Sequence, residues 1–301
     1  MVWFFFALFA VFFVSVGNII DSHLVSKRIP SLPSFLIPMG FTQLISGVVM
    51  FAFFPFQTFP GWTHLLVAIG AGLLNSCGFL ITINTLRKNE VSRVIPVTSS
   101  APIFVALLSV PLLGDRLGYW QWLAILMTVG GAVLISLHFD GGGRKAKLQK
   151  SFFLLLLVAL MSAIASIGFK YALRTMSFWN MNSINVTCIA TVVLTYSLRK
   201  VNLLELKNLQ QRTQKILLVA GDQCIGITAS ILAFKALGIG PVALVSVVLN
   251  ARPAFVFIFS LLLGLFFPRF INDRLNKRTF LMKFIAVGIM TGGMVIISLS
   301  R

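Results

Sequence analysis

The chain has 301 residues, of which 58% are hydrophobic and 11% charged, with a mean hydropathy of +0.96. A soluble domain carries about 25% charged residues, so a soluble globule, a disordered chain and a fibrous repeat are excluded. The balance of 25 Lys and Arg against 7 Asp and Glu sits in short connections and not on one amphipathic face, which is the membrane-protein pattern and makes nucleic acid an unexpected partner.

Ten apolar segments follow one another, at 2–20, 34–56, 62–84, 92–113, 119–137, 151–172, 179–198, 215–236, 241–266 and 280–299. Each is close to the roughly 20 residues that cross a bilayer as a helix. Hydrocarbon leaves no water to pair the backbone, and the weak alternation of a membrane barrel is absent, so every segment is expected to be an α-helix. The first has no basic region ahead of it and is expected to be a retained helix and not a cleaved signal. Trp3, Trp62, Trp120, Trp122, Trp179, Tyr119, Tyr171 and Tyr196 fall at segment ends, where amphipathic rings favour the headgroup level. Pro96 and Pro102 mark the fourth segment and Pro253 the ninth; each removes a backbone donor and predicts a kink. Cys77, Cys188 and Cys224 lie inside apolar segments without a CxxC, and the histidines are only His23, His64 and His138. No disulfide framework, metal site or cofactor is expected.

The chain repeats itself. Residues 85–112 align without gaps on 236–263, matching Leu86/Leu237, Val91/Val242, Val94/Val245, Val97/Val248, Pro102/Pro253, Phe104/Phe255, Val105/Val256, Ser109/Ser260 and Leu112/Leu263. Asp115-Arg116-Leu117 then meets Asp273-Arg274-Leu275, and the Gly130-Gly131 helix meets the Gly292-Gly293 helix. Three matched blocks in the same order define two units, 1–137 and 151–301, with 138–150 as linker. Five helices per unit is an odd number, so the second unit is expected to be inverted relative to the first. The fold class is therefore an all-α integral membrane protein of ten transmembrane helices in two inverted five-helix repeats, the plan of many secondary transporters. Most of the basic residues lie in or beside the connections after odd-numbered segments, whereas Arg116, Arg174, Lys235 and Arg301 lie on the other side. That count places the odd connections in the cytoplasm and both termini outside. The basic, leucine-bearing loop 199–215 fits either an anionic leaflet or a plain solvated loop.

The proline-bearing fourth helix, the Gly114-Asp115-Arg116-Leu117 turn, the aromatic start Tyr119-Trp120-Gln121-Trp122 and the Gly-Gly helix together resemble the EamA-type members of the drug/metabolite transporter superfamily. The family usually has Glu in that turn, where this chain has Asp115 and Asp273. The resemblance covers nearly the whole chain. It implies a metabolite carrier, often an exporter, working by alternating access around a cavity lined by helices three, four, eight and nine. It also implies cytoplasmic termini, against the charge count. The expected location is the plasma (inner) membrane.

Ionisable groups inside a bilayer cost roughly 2.5–3.5 kcal/mol on insertion scales, so each is a functional candidate. Arg252, in Asn250-Ala251-Arg252-Pro253, is placed to bind an anionic or amino-acid-like substrate, or to form a structural ion pair. Asp222, followed by Gln223, is a proton-coupling candidate or the counter-ion of Arg252. Lys170 is a coupling or gating candidate or a snorkelling anchor, and its approximate counterpart in the first repeat is Asp21. Asn84 and Asn250 are expected at the cavity; Asn18, Asn75 and Asn185 are expected to hydrogen-bond between helices. Gly288, Gly292, Gly70 and Gly72 are expected at close helix contacts. No Walker-type phosphate loop and no hydrolase or metalloprotease motif occurs, so energy would come from a gradient and a catalytic role is not expected. The expected function is a secondary carrier of a small metabolite; a lipid-carrier flippase is the nearest alternative, and a receptor or enzyme is further off.

Overall fold

The computed structural model describes residues 2–24, 31–88, 97–136, 150–198, 200–207, 211–266 and 277–299. Twelve helices are defined among them: α1 (Val2–His23), α2 (Leu32–Phe53), α3 (Trp62–Lys88), α4 (Ala101–Leu113), α5 (Tyr119–Ser136), α6 (Lys150–Ala172), α7 (Phe178–Ser197), α8 (Lys200–Lys207), α9 (Arg212–Ile239), α10 (Val242–Leu249), α11 (Arg252–Phe266) and α12 (Lys277–Leu299). All regular structure among the described residues is helical.

Among the described residues, seven stretches are long and apolar enough to cross a membrane: α1, α2, α3, α6, α9, α12 and the run 242–259 through α10 into α11. Ten such stretches were expected, and the remaining three have identifiable reasons for falling short. The fourth segment is described only from Val97 onward, so α4 counts 13 residues. α5 has 18 residues, of which the apolar part ends at Leu134. α7 has 20 residues but carries Asn180, Asn182, Ser183 and Asn185, all buried. Its surroundings are protein and not lipid, so polar side chains are satisfied there by neighbouring helices.

Local chemistry sets the helix ends. Ser31 and Ser177 sit in extended backbone and accept from the amides of Ser34 and Asn180, at 3.4 and 3.2 Å, as N-cap side chains do. α4 ends at Gly114, whose left-handed φ of 75° suits glycine. Pro102 and Pro253 were expected to kink continuous helices. Instead each stands in the first turn of a new helix, where a missing amide costs nothing. Ser99 and Ser100 form a turn before α4, and Asn250 and Ala251 form one between α10 and α11. The ninth segment is therefore two half-helices. Pro96 lies outside the described residues, as do Asp273 to Leu275.

Lipid is as apolar as a leucine core, so helix association here depends on close backbone approach and polar contacts. α5 and α12 pack through one glycine from each. A Cβ on Gly293 would meet the Ala124 carbonyl at 2.9 Å, and one on Gly131 would meet the Ala286 carbonyl at 2.9 Å. On α3, a Cβ on Gly72 would stand 2.9 Å from the Cys188 sulfur of α7. At Gly70 and Gly288, expected in the same role, a Cβ would meet nothing within 4 Å, and at Gly292 only the Met127 side chain at 3.3 Å. α7 is stitched to its neighbours by side chains. Ser183 donates to the Gly47 carbonyl of α2 at 2.7 Å, Ser230 of α9 donates to Asn182 at 2.6 Å, and Asn75 of α3 donates to Asn185 at 3.2 Å.

The main packing partners are α5 with α12, α2 with α7, α1 with α9, α3 with α6, α3 with α7, α4 with α6, and α10 with α4 and α1. Residues 242–248 of α10 are all buried, so this short helix is the centre of the molecule. Two of the expected interface rings behave differently from a lipid belt. Trp3 packs against Gly240 with ring carbons 2.8 Å from where a Cβ would stand, and Trp179 stacks on Phe54 with centroids 4.4 Å apart. Trp62 and Trp120 remain exposed.

Candidate functional site

The candidate residues fall in four separate places. The first is a buried polar row across α2, α9 and α1. Gln43 on α2 donates through Nε2 to Gln223 Oε1 at 2.9 Å, and Gln223 donates through Nε2 to Asp222 Oδ2 at 3.1 Å. Asp222 lies ten residues into α9, about 15 Å along its axis, and is 4% exposed. Its carboxyl is within hydrogen-bonding reach of Asp21, near the end of α1. Gly17, one turn before Asp21, gives the room: a Cβ there would stand 3.5 Å from Asp222 Oδ1. Asp21 Oδ1, Asp222 Oδ1 and Gln43 Oε1 are buried without a hydrogen-bond partner. The sequence reading selected Asp222 and Gln223 but gave Asp21 and Gln43 no site role. One signal existed: Asp21 is an acidic residue at membrane depth.

The second place is the break between α10 and α11. Asn250 donates from Nδ2 to the Ser246 carbonyl at 2.8 Å, and Arg252 donates from Nε to the Leu249 carbonyl at 3.1 Å. Arg252 opens α11 with its side chain exposed. Asp222 is not its counter-ion; no ion pair joins the two residues, and Asp222 is engaged by Gln223 and Asp21. Hydropathy gave both residues their depth, but it could not give their direction around the helix axis. A cavity of about 300 Å³ lies beside α11, lined by Phe4, Leu8, Phe255, Ile258 and Met294 among others. Its walls are apolar, and Arg252 is not among them.

Lys170 and Asn84 stand apart from both and from each other: Tyr171, next to Lys170, stacks on His64 at the start of α3, whereas Asn84 is near the end of that helix. Lys170 Nζ donates to the carbonyls of Leu237, Gly238 and Gly240 at 2.8, 3.1 and 2.8 Å. An ammonium has three donors, and all three are used at the C-terminal end of α9, where the orphan carbonyls and the helix dipole favour a cation. Asn84 donates to Leu80 one turn back and accepts from the Tyr196 hydroxyl at 3.0 Å, tying α3 to α7. Lys235 places its ammonium 4.2 Å from the centroid of Phe6 and 5.5 Å from that of Phe178, an aromatic anchorage for a cation at a helix end. In the basic loop, α8 buries Leu206 and exposes Leu203 and Leu204.

Helices of this length and apolarity, crossed by buried amides and carboxyls, define a multi-pass integral membrane protein. Residues 1–137 match the family model of the EamA-like transporter family. An uncharacterized transporter in the cobO 3′ region of a Sinorhizobium species is 30% identical over 77 residues, 26% of this chain. The chain spans about half of that relative, 54% of its length. A solved crystal structure, titled only as that of a protein, is similar over 99% of this chain and 96% of its own, with a TM-score of 0.66 and 17% identity. At that identity the likeness speaks for the fold alone.

Proposed function

We propose that this protein is a secondary active transporter that moves a small metabolite across the plasma (inner) membrane by alternating access, in the export direction. It is built of two inverted five-helix repeats, 1–137 and 151–301, joined by 138–150. The observation that carries this reading is how the two halves pair. α1 packs on α9 while α6, its counterpart, packs on α3, the counterpart of α9. α2 with α7 and α5 with α12 pair each helix with its own counterpart, and α4 on α6 is mirrored by α11 on α1. Such an exchange is what a pseudo-two-fold axis between repeats produces. α4 and α11 supply the second element: both are half-helices opened by a proline at the corresponding position. Broken helices at a repeat interface are where transporters of this plan hold their substrates.

Arg252 is the residue assigned to the substrate. It begins α11, where a guanidinium and a helix N-terminus both favour an anionic group such as a carboxylate. Asn250 stands beside it at the break. Asn84, on α3 of the first repeat, is the residue assigned to the wall from the other half. A flippase is the second reading, and the apolar cavity beside α11 is the observation that favours it. The test is counterflow into proteoliposomes from a mixed metabolite extract, read by mass spectrometry, with wild type beside Arg252→Ala. Enrichment of an anionic compound by wild type and its loss in a folded Arg252→Ala protein are expected. Unchanged enrichment by the mutant would remove Arg252 from the site. Movement of lipid-linked probes alone would favour the flippase.

A further inference from the structure

A gradient-driven transporter needs a coupling ion, and the polar row at Asp222 has the composition to hold one; this inference rests on the transport reading above. The donors along the row all point one way. Gln43 donates to Gln223 and Gln223 donates to Asp222, and neither amide donates to Asp21. Three buried oxygens are left over: Asp21 Oδ1, Asp222 Oδ1 and Gln43 Oε1. Gln43 and Gln223 are each 6% exposed, so solvent does not serve them freely. Buried acceptors without donors are rare in native structures and call for an unseen partner.

Among the described side chains, the surroundings carry no cation to balance two carboxylates. α2 and α10, which pack on α9, have no ionisable side chain. On α7, Cys188 and Tyr196 turn to α3, contacting the Ile69 carbonyl and Asn84. Lys170 of α6 is held at the opposite end of α9, and Arg252 of α11 is turned to the Leu249 carbonyl. On α9 itself, Arg212, Lys215 and Lys235 stand ten, seven and thirteen residues away, roughly 15, 10 and 20 Å along the axis. Two carboxyl groups within hydrogen-bonding reach of each other, with no described cation facing them, cannot both be ionised.

We propose that Asp21 and Asp222 together bind a single proton and that this proton is the coupling ion. Loading forms one O–H bond on either carboxyl, whose hydrogen the other then accepts; unloading breaks that bond and returns the proton to water at the opposite face. No other bond changes. Gln43 Oε1 is the acceptor left for a proton-delivering water. The two carboxyls come from α1 and α9, which belong to opposite repeats, so relative motion of the halves changes the pair directly.

The test is infrared difference spectroscopy of the full chain in lipid vesicles, stepped from mildly acidic to mildly alkaline pH. One protonated-carboxyl band per chain is expected, shifting in heavy water and vanishing as pH rises. Asp21→Asn and Asp222→Asn, near-isosteres that place an amide donor where the proton sat, should each abolish it. Asp115→Asn should leave it intact. A missing band in wild type, or one that survives both variants, overturns the proposal. So does removal of the band by sodium at fixed pH, which would make the pair a sodium site. In the transport assay, an imposed pH gradient should drive accumulation by wild type, while both Asn variants fall to simple exchange. Transport without a titrating band would sink the shared proton and leave the transporter reading intact. A titrating band without any transport would leave a proton site but remove its coupling role.

Discussion

Replacing Lys170 by Met tests whether this cation clamps a helix end or takes part in coupling. Its ammonium donates three bonds, at 2.8, 3.1 and 2.8 Å, to the carbonyls that close α9. Met keeps the length of the stem and removes every donor. Hydrogen bonds inside membrane proteins average about 0.6 kcal/mol each and reach about 1.7, so three together give about 2 to 5 kcal/mol. At roughly 2–4 °C per kcal/mol for a chain of this size, the lower figure lowers the melting temperature by about 4–8 °C. Thermal unfolding in detergent, followed by intrinsic tryptophan fluorescence, reads this out. Lys170→Arg should recover much of the loss, since its fork of donors reaches the same carbonyls. If Lys170→Met melts within about 1 °C of wild type, the clamp is wrong. If that stable variant also loses gradient-driven accumulation, Lys170 belongs to the coupling machinery instead.

Three further outcomes are expected. Gly293→Val drives its side chain into the Ala124 carbonyl and should destabilise by at least the roughly 1–3 kcal/mol of overpacking, whereas Gly288→Ala, in open space, should be neutral or stabilising in the same melt. Gln43→Leu removes the donor to Gln223 and should leave the protein folded but slow proton-driven accumulation more than exchange; equal slowing of both would argue that Gln43 only packs. Single cysteines placed in 140–146 should react with a membrane-impermeant thiol reagent only from the cytoplasmic side, as the loop charges require; labelling from outside would reverse the orientation.

The parts of the fold legible in the sequence are those fixed by local chemistry. An apolar run of about 20 residues has only the helix available to it in hydrocarbon, so each described segment is helical where the hydropathy placed it. The prolines at 102 and 253 were also legible as interruptions. Whether they bend a helix or start a new one depended on the turns at 99–100 and 250–251. The resemblance of the first half to the EamA-like family rested on motifs of the same local kind.

The direction of each side chain around its helix was not legible. In a soluble protein an amphipathic stripe marks the buried face; here lipid and core are equally apolar, so the stripe is faint and the register is lost. That is why the sequence singled out Gly288 and Gly70 alongside Gly72 for close packing, while the α5–α12 contact uses Gly293 and Gly131. It is also why Arg252 and Asp222 looked like partners, when Asp222 meets Gln223 and Asp21 and Arg252 meets a carbonyl. The sequence by itself determined a multi-pass helical membrane protein, its segments and the depth of its charges, because those follow from transfer free energy along one axis. Only the tertiary structure decided that Gln43 meets Gln223 across 180 residues and that two carboxyls face each other, because pairing across helices depends on rotations that hydropathy does not encode.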